Sequence, residues 1–155
     1  MIIETTRFGG LEAAEEELIT FPRGLVGLPE LTGFFMFDGP AGTPFKWLQS
    51  TDRAELAYVV CDPVLFVPDY RVRASVEELA PVEITAVDDA VVAVVLSVPD
   101  DWRLMTANLA GPLVFNVPKR LGMQLVVSDP AFSVKHCVFG GPGGPAAAEA
   151  PGGGA

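Results

Sequence analysis

Apolar residues occur along this chain in short runs, rich in β-branched and aromatic side chains and separated by Gly, Pro and Asp. Runs of this kind are typical of strands. They predict strands at residues 18–21, 34–37, 56–61, 82–87, 91–98, 113–117, 124–127 and 133–139. The run at 91–96 is apolar at every position, which is typical of a strand covered on both faces.

Helical signals are few. Ser75 and Glu78 have the spacing of a capping box, and Pro81 ends any helix that begins there. The pair Asp88 and Asp89, between two Val-rich runs, predicts a tight hairpin. Parallel strands need long crossover connections, which this pattern does not supply. We therefore predict an all-β single domain, an antiparallel β-barrel-like or sandwich fold with one or two short helices.

The chain divides by composition into two parts. Half of its 155 residues are apolar, enough for one sizeable core. Residues 140–155 are almost entirely Gly, Pro and Ala, so they have little apolar area to offset the entropy of ordering. The prediction is a β-barrel domain at residues 1–139 and a disordered Gly/Pro/Ala-rich tail at residues 140–155.

The charge balance narrows the class of partner. The formal net charge is −10, and Glu12, Glu15, Glu16 and Glu17 lie within six residues. A field of this sign repels phosphate backbones, so we expect no direct binding of nucleic acid. It favours a basic protein partner, although solubility alone also accounts for such a charge.

Cellular location is predicted from three observations. The first residues have no basic start and no apolar segment of a secretory signal. The longest apolar run is far shorter than a membrane span. Cys61 and Cys137 are far apart and have no CxxC spacing, which is typical of reduced thiols. We expect a soluble, cytoplasmic protein that does not associate with membranes.

The residues that usually carry chemistry are sparse. The chain has one histidine, His136, and in a strand its side chain points away from that of Cys137. The sequence contains no cluster with metal-ligand spacing and no phosphate-binding glycine loop. We predict no catalytic residues, no metal and no cofactor, and hence not an enzyme. The alternative, a hydrolase using Cys61 or Cys137, requires a thiol that reacts at neutral pH.

Aromatic and amide residues in one segment are candidates for binding. Phe45, Trp47 and Gln49 alternate, so they share one face of an extended segment. Trp47 is either a core anchor or a contact residue in an interface, since tryptophan is common in both.

Four motifs together resemble the flagellar assembly factor FliW family. They are TFPRGLVG at residues 20–27, PFKWLQS at 44–50, LAYVVCDP at 56–63 followed by Phe66, and TANLAGPLVFN at 106–116 followed by Gln124. The resemblance covers about residues 2–137. Leu28 departs from it, because an aromatic residue is expected there, and the tail is not a family feature.

The resemblance implies a cytoplasmic, non-enzymatic β-barrel protein that changes partners. Members of the family bind new flagellin and also the translational repressor CsrA. Free FliW sequesters CsrA and so relieves repression of flagellin mRNA. When flagellin accumulates, it occupies FliW and the repression returns.

Partner contacts are predicted at two groups of residues. Glu15, Glu16 and Glu17 are expected to meet the basic repressor, and Trp47, Gln49 and Phe66 to lie near the partner surface; the alternative is that the latter three only build the barrel. We expect a monomer when free. Two other functions remain open, a dedicated flagellin chaperone without repressor binding and a small-molecule-binding β-barrel, since barrels often hold a ligand in the mouth.

Overall fold

The computed structural model describes residues 1–139, and β-strands dominate it. The strands are β1 Ile2–Thr5, β2 Gly9–Glu12, β3 Ile19–Thr20, β4 Gly33–Asp38, β5 Lys46–Ser50, β6 Ala57–Cys61, β7 Val91–Ser97, β8 Thr106–Ala107, β9 Leu113–Asn116, β10 Leu121–Gln124 and β11 His136–Cys137, with a short helix, α1, at Val76–Leu79. No helix in this part of the chain is long and apolar enough to cross a membrane. The predicted tail lies outside the described residues.

Seven strands form a closed barrel. Their order is β7, β6, β5, β4, β3, β10, β9, and β9 pairs with the beginning of β7 to complete the circle. All neighbours are antiparallel except β3 and β10, which are parallel where Thr20 faces Leu121. The two-residue strands β8 and β11 extend the sheet beyond the other end of β7. The predicted all-β, barrel-like fold is confirmed.

Alternate residues of the barrel strands fill the interior, as the strand period of two requires. The buried interior residues are Ile19, Phe21, Leu25, Leu31, Phe34, Leu48, Val60, Ala93, Leu113 and Phe115. Burial of a large apolar side chain stabilises a fold by about 1.5–3 kcal/mol. This interior is therefore the main source of stability in the barrel.

The outer face of the barrel is also covered. The hairpin of β1 and β2 packs on Phe35 of β4. Residues around α1 pack on Val114 and Met123. Tyr70, Ala107 of β8 and the residues after β11, Val138 and Phe139, form one cluster with Val94 of β7. Since neighbouring Ala93 faces the interior core, β7 is covered on both faces, as its apolar run predicts.

The predicted capping box is confirmed, but the strand predicted at 82–87 is wrong. The Ser75 hydroxyl accepts a hydrogen bond from the Glu78 amide at 3.1 Å, and the Glu78 carboxylate accepts one from the Ser75 amide at 3.0 Å. After α1 the chain forms a 3-10 turn at Ala80–Val82, and Glu83 has a left-handed backbone with φ 58°. A left-handed residue interrupts an extended strand.

Two further turn and strand predictions change. The hairpin predicted at Asp88 and Asp89 is wrong, because a 3-10 turn at Val87–Asp89 leads directly into β7. The strand predicted at 124–127 lies earlier, at Leu121–Gln124. Backbone pairing nevertheless continues past it, since the Val127 amide donates to the carbonyl of Ala110 at 2.7 Å.

One end of the barrel is closed by residues 21–31, here called the plug. Phe21 and Leu31 are fully buried in the interior core, and Phe21 lies against the rings of Phe34 and Phe115. Gly24 has φ 64°, and a Cβ atom there would lie 2.5 Å from the carbonyl oxygen of Pro29. Only glycine fits this close turn.

Candidate functional site

The opposite end of the barrel is open and forms a cleft of about 370 Å³, here called the mouth. It lies where β4, β6 and β9 end and where β3, β5, β7 and β10 begin. Its walls include Met36, Val60, Ala93 and Phe115. Apolar side chains continue onto the rim, where Leu65, Val91 and Val117 line the cleft and are exposed. The mouth is therefore an apolar cavity with an apolar edge.

The rim of the mouth carries two acidic and two basic side chains, so their formal charges cancel. The Lys46 ammonium lies 2.5 Å from the Asp38 carboxylate. Asp62 caps a 3-10 turn by accepting from the Val64 amide at 2.9 Å. The Arg120 guanidinium donates to the main-chain carbonyl of Glu17, and its Nε is buried with no hydrogen-bond partner within residues 1–139.

The predicted acidic residues adjoin this rim. Glu15–Glu17 form an exposed 3-10 turn, here called the acid turn. Arg120 holds the carbonyl of its last residue, and Ile19, two residues later, lines the mouth. Neither Glu15 nor Glu16 forms an ion pair within the described chain, so both carboxylates are available to a partner.

Trp47 lies on the outer face of β5 and does not line the mouth. It is half-buried, and its ring makes an edge contact with Phe8 at a centroid distance of 5.1 Å. The Arg7 guanidinium lies over the indole, 4.9 Å from the ring centroid. The arrangement is a cation–π contact at the surface. Trp47 is thus packed by its own chain and still partly accessible.

Gln49 has a structural position, which corrects its prediction as a surface contact. The side chain is 0% exposed, and its amide nitrogen donates to the carbonyls of Ser50, Ala54 and Leu56 at 2.9, 3.2 and 3.0 Å. The nitrogen is thus satisfied, as buried polar groups usually are, while the Oε1 atom is buried with no hydrogen-bond partner within residues 1–139. Gln49 therefore fixes the loop between β5 and β6 and is out of a partner's reach.

Phe66 lies between the mouth and the cluster that covers β7. Its ring stacks on His136 at a centroid distance of 6.1 Å and packs against the cluster that covers β7. It directly follows Leu65, an exposed residue of the mouth. Phe66 is thus partly buried beside the rim.

The surroundings of the Cys61 thiol determine its reactivity. Cys61 is buried at the end of β6, and burial, with a smaller effect of the Asp62 charge, raises its pKa to about 11. A thiolate is the nucleophilic form, so this shift opposes catalysis at neutral pH. Residues 1–139 contain no group of three or more His, Cys, Asp or Glu placed to hold a metal ion. The raised pKa argues against Cys61 as a nucleophile, and the lining of the mouth is mostly apolar.

A sequence model of the FliW protein family matches residues 2–138. This chain belongs to the FliW family. Relatives named flagellar assembly factor FliW support this membership. The one from Natranaerobius thermophilus is 36% identical over 140 residues, covering 90% of this chain and 93% of that protein. The one from Bdellovibrio bacteriovorus is 37% identical over 139 residues, covering 90% and 79%.

A solved FliW structure gives the same fold. The crystal structure of the flagellar assembly factor FliW is 32% identical to this chain, with a TM-score of 0.81, and the match covers 90% of this chain and 97% of that one. The predicted family is therefore confirmed. FliW proteins are flagellar assembly factors and not a known family of enzymes.

The FliW motifs contribute mainly to the barrel. Gln124 accepts from the Val26 amide and donates to the Gly111 carbonyl, both at 2.9 Å, which ties the plug to the sheet. The Asn116 amide donates to the Val82 carbonyl at 2.8 Å. Leu28, the departure from the family pattern, is partly buried and packs against the interior core. The motifs thus identify the FliW fold more directly than they identify a binding surface.

Proposed function

We propose that this FliW-family protein binds flagellin and a CsrA-type translational repressor in the cytoplasm and antagonises the repressor, coupling flagellin translation to flagellar assembly. The observation that carries the proposal is membership of a family of flagellar assembly factors over nearly the whole described chain. Free protein sequesters the repressor, and flagellin displaces it. The protein acts as a non-catalytic monomer, and the repressor, not this protein, binds RNA.

The charge of the chain supports a basic partner. The net charge is −10, and the acid turn places three exposed glutamates beside the mouth. A protein that binds RNA carries a basic surface, and complementary charge increases the rate of association and its dependence on salt. We therefore assign Glu15, Glu16 and Glu17 to contacts with the repressor.

The three remaining candidates, Trp47, Phe66 and Gln49, differ in how accessible they are. Trp47 and Phe66 remain proposed contact residues, because both are partly accessible. Gln49 is no longer among them because it is fully buried. A dedicated flagellin chaperone without repressor binding is the outcome if only flagellin binds.

A small-molecule-binding barrel is the second candidate function. The volume of the mouth favours it, since cavities of about 300–1,000 Å³ are typical of small-molecule sites. The exposed apolar residues at the edge of the cleft favour a protein instead, because a small ligand enclosed in the cleft leaves their outer surfaces in water.

Calorimetry with the repressor and flagellin of the same organism, separately and together, tests the proposed function. We expect the chain to bind both, and flagellin to lower binding of the repressor. Binding of flagellin alone would establish the chaperone function, and binding of neither would contradict the proposal.

The acid turn is tested by reversing its charge. Glu15→Lys, Glu16→Lys and Glu17→Lys together should weaken repressor binding about tenfold or more at low salt and flatten its salt dependence, as expected for complementary charge. The control combines Asp69→Lys, Glu77→Lys and Asp100→Lys, three exposed acids away from the mouth that change the net charge equally. Equal losses in both triple variants would show a general effect of charge and remove the acid turn from the proposal.

A further inference from the structure

We infer that the mouth is the pocket into which the basic partner inserts a large apolar side chain, while basic residues next to that side chain meet the acid turn. This inference rests on the proposed function and specifies where on the barrel the partner docks. The occupant is a segment of a basic protein, with a Leu, Ile, Met or Phe at its centre and Lys or Arg on one side.

The apolar rim is the first argument. Leu65, Val91 and Val117 are 58%, 51% and 46% exposed, and they stand together around one cleft. Interfaces are centred on apolar anchors that fill pockets, with a polar surrounding. Exposed apolar residues at an apolar cleft, with the charged groups of the rim beside them, match the centre and the surrounding of such an interface.

The opposite end of the same barrel shows what fills such a space. There the chain inserts Phe21, Leu25 and Leu31 of its own plug into the interior core. Within residues 1–139, no equivalent segment fills the mouth. Both ends of the barrel thus present apolar walls, and within residues 1–139 the chain covers them with its own side chains at one end.

Charge determines the kind of protein that fits. At the rim, Lys46 and Arg120 balance Asp38 and Asp62, so the mouth itself is close to neutral. The excess charge comes from the adjoining acid turn. A partner complementary to both features is apolar where it enters the mouth and basic at the side of the acid turn.

Two pairs of matched substitutions test the inference. Val91 begins β7 and Val98 directly follows its last residue, and they are 51% and 49% exposed, so Val91→Glu alters the mouth and Val98→Glu is its control. Leu65 and Leu104 each end a 3-10 turn and are 58% and 65% exposed, so Leu65→Glu is matched by Leu104→Glu. All four positions are on the surface, and circular dichroism with thermal unfolding verifies that each variant is folded.

The binding measurement is calorimetry with the purified CsrA-type repressor as the probe. We expect Val91→Glu and Leu65→Glu each to weaken binding at least tenfold, because they place a carboxylate at the apolar anchor, and the two controls to stay within about threefold of the wild type. Unchanged binding of both mouth variants, with the wild type binding, would overturn the inference and leave the proposed function intact. A wild type that binds neither repressor nor flagellin would overturn both.

Discussion

The two ends of the barrel are built from the same strands and differ in how far the chain covers them. At the closed end, Phe21 and Leu31 of the plug are fully buried, and the Asp52 carboxylate accepts from the amides of Thr32 and Gly33 at 3.0 Å each. At the open end, Leu65 and Val91 remain exposed at the edge of the cleft. The comparison indicates that the closed end provides stability, whereas the open end is available for binding.

The largest effect on the free energy of unfolding is expected from a substitution at the closed end. Phe21→Ala removes a ring that touches two other rings in the core, and such truncations cost about 3–5 kcal/mol. The control at the open end, Val117→Ala, should change the free energy of unfolding by less than about 0.5 kcal/mol, because the side chain is exposed. Urea unfolding measures both. Similar values for the two variants would contradict the assignment of stability to the closed end.

A smaller effect is expected at Gly122, where β10 passes the plug. A Cβ atom at this position would lie 2.6 Å from Cε1 of Phe21, so Gly122→Ala overpacks the core and should cost about 1–3 kcal/mol. Combining it with Phe21→Leu removes the atoms that clash. Urea unfolding of the four proteins should then show a favourable coupling energy, whereas strict additivity would mean that the clash is relieved in another way.

β5 connects the two ends and allows a comparison within one strand. Gln49, near the closed end, bonds three carbonyls, so Gln49→Ala leaves buried acceptors unpaired and should cost about 1–3 kcal/mol. Lys46, at the open end, is exposed, and Lys46→Ala should cost less than about 0.5 kcal/mol. Thermal unfolding measures both. A neutral Gln49→Ala would show that the loop does not depend on this amide.

The last effect concerns the Cys61 thiol at the open end and appears only at high pH. Its pKa is raised by burial to about 11, from 9.0, so the folded state retains the proton more firmly than the unfolded state. This contribution to stability is complete below about pH 9 and is lost as the pH rises towards 11. The free energy of unfolding should therefore fall more steeply over this range than in Cys61→Ala. Identical pH dependence in the two proteins would contradict the raised pKa.

Alkylation offers a direct measurement of the same thiol. In a Cys137→Ser background, modification by iodoacetamide should be slow at pH 7 and should accelerate about tenfold for each pH unit up to about 11, since only the thiolate reacts. The same protein in urea is the control, with an ordinary thiol. A rate that levels off near pH 9 in the folded protein would contradict the assignment.

Much of the fold is predictable from local pattern. The runs at 34–37, 56–61, 91–98 and 113–117 became strands because alternating or continuous apolar residues need a sheet to cover them. The strand predicted at 82–87 does not form. Val82 and Ile84 are buried against the outer face of the barrel, and Glu83 between them has a left-handed backbone. Alternation alone does not distinguish a strand from an anchored turn.

The candidate site is less predictable, for a geometric reason. Met36, Val60, Val91 and Phe115 are far apart in the sequence, and only closure of the barrel brings them to one mouth. Their pattern predicts that they face inwards but not which end of the barrel remains open. Gln49 shows the same limit, because its burial depends on the carbonyls of the following loop.

Hydrogen exchange with and without the CsrA-type repressor tests most directly the claim that the open end is the binding end. We predict slower exchange in residues 62–66, 91–93 and 117–121, which surround the mouth, and in the acid turn, with no change in the plug. Protection confined to the plug or to the outer face near Trp47, with the mouth unchanged, would contradict the account.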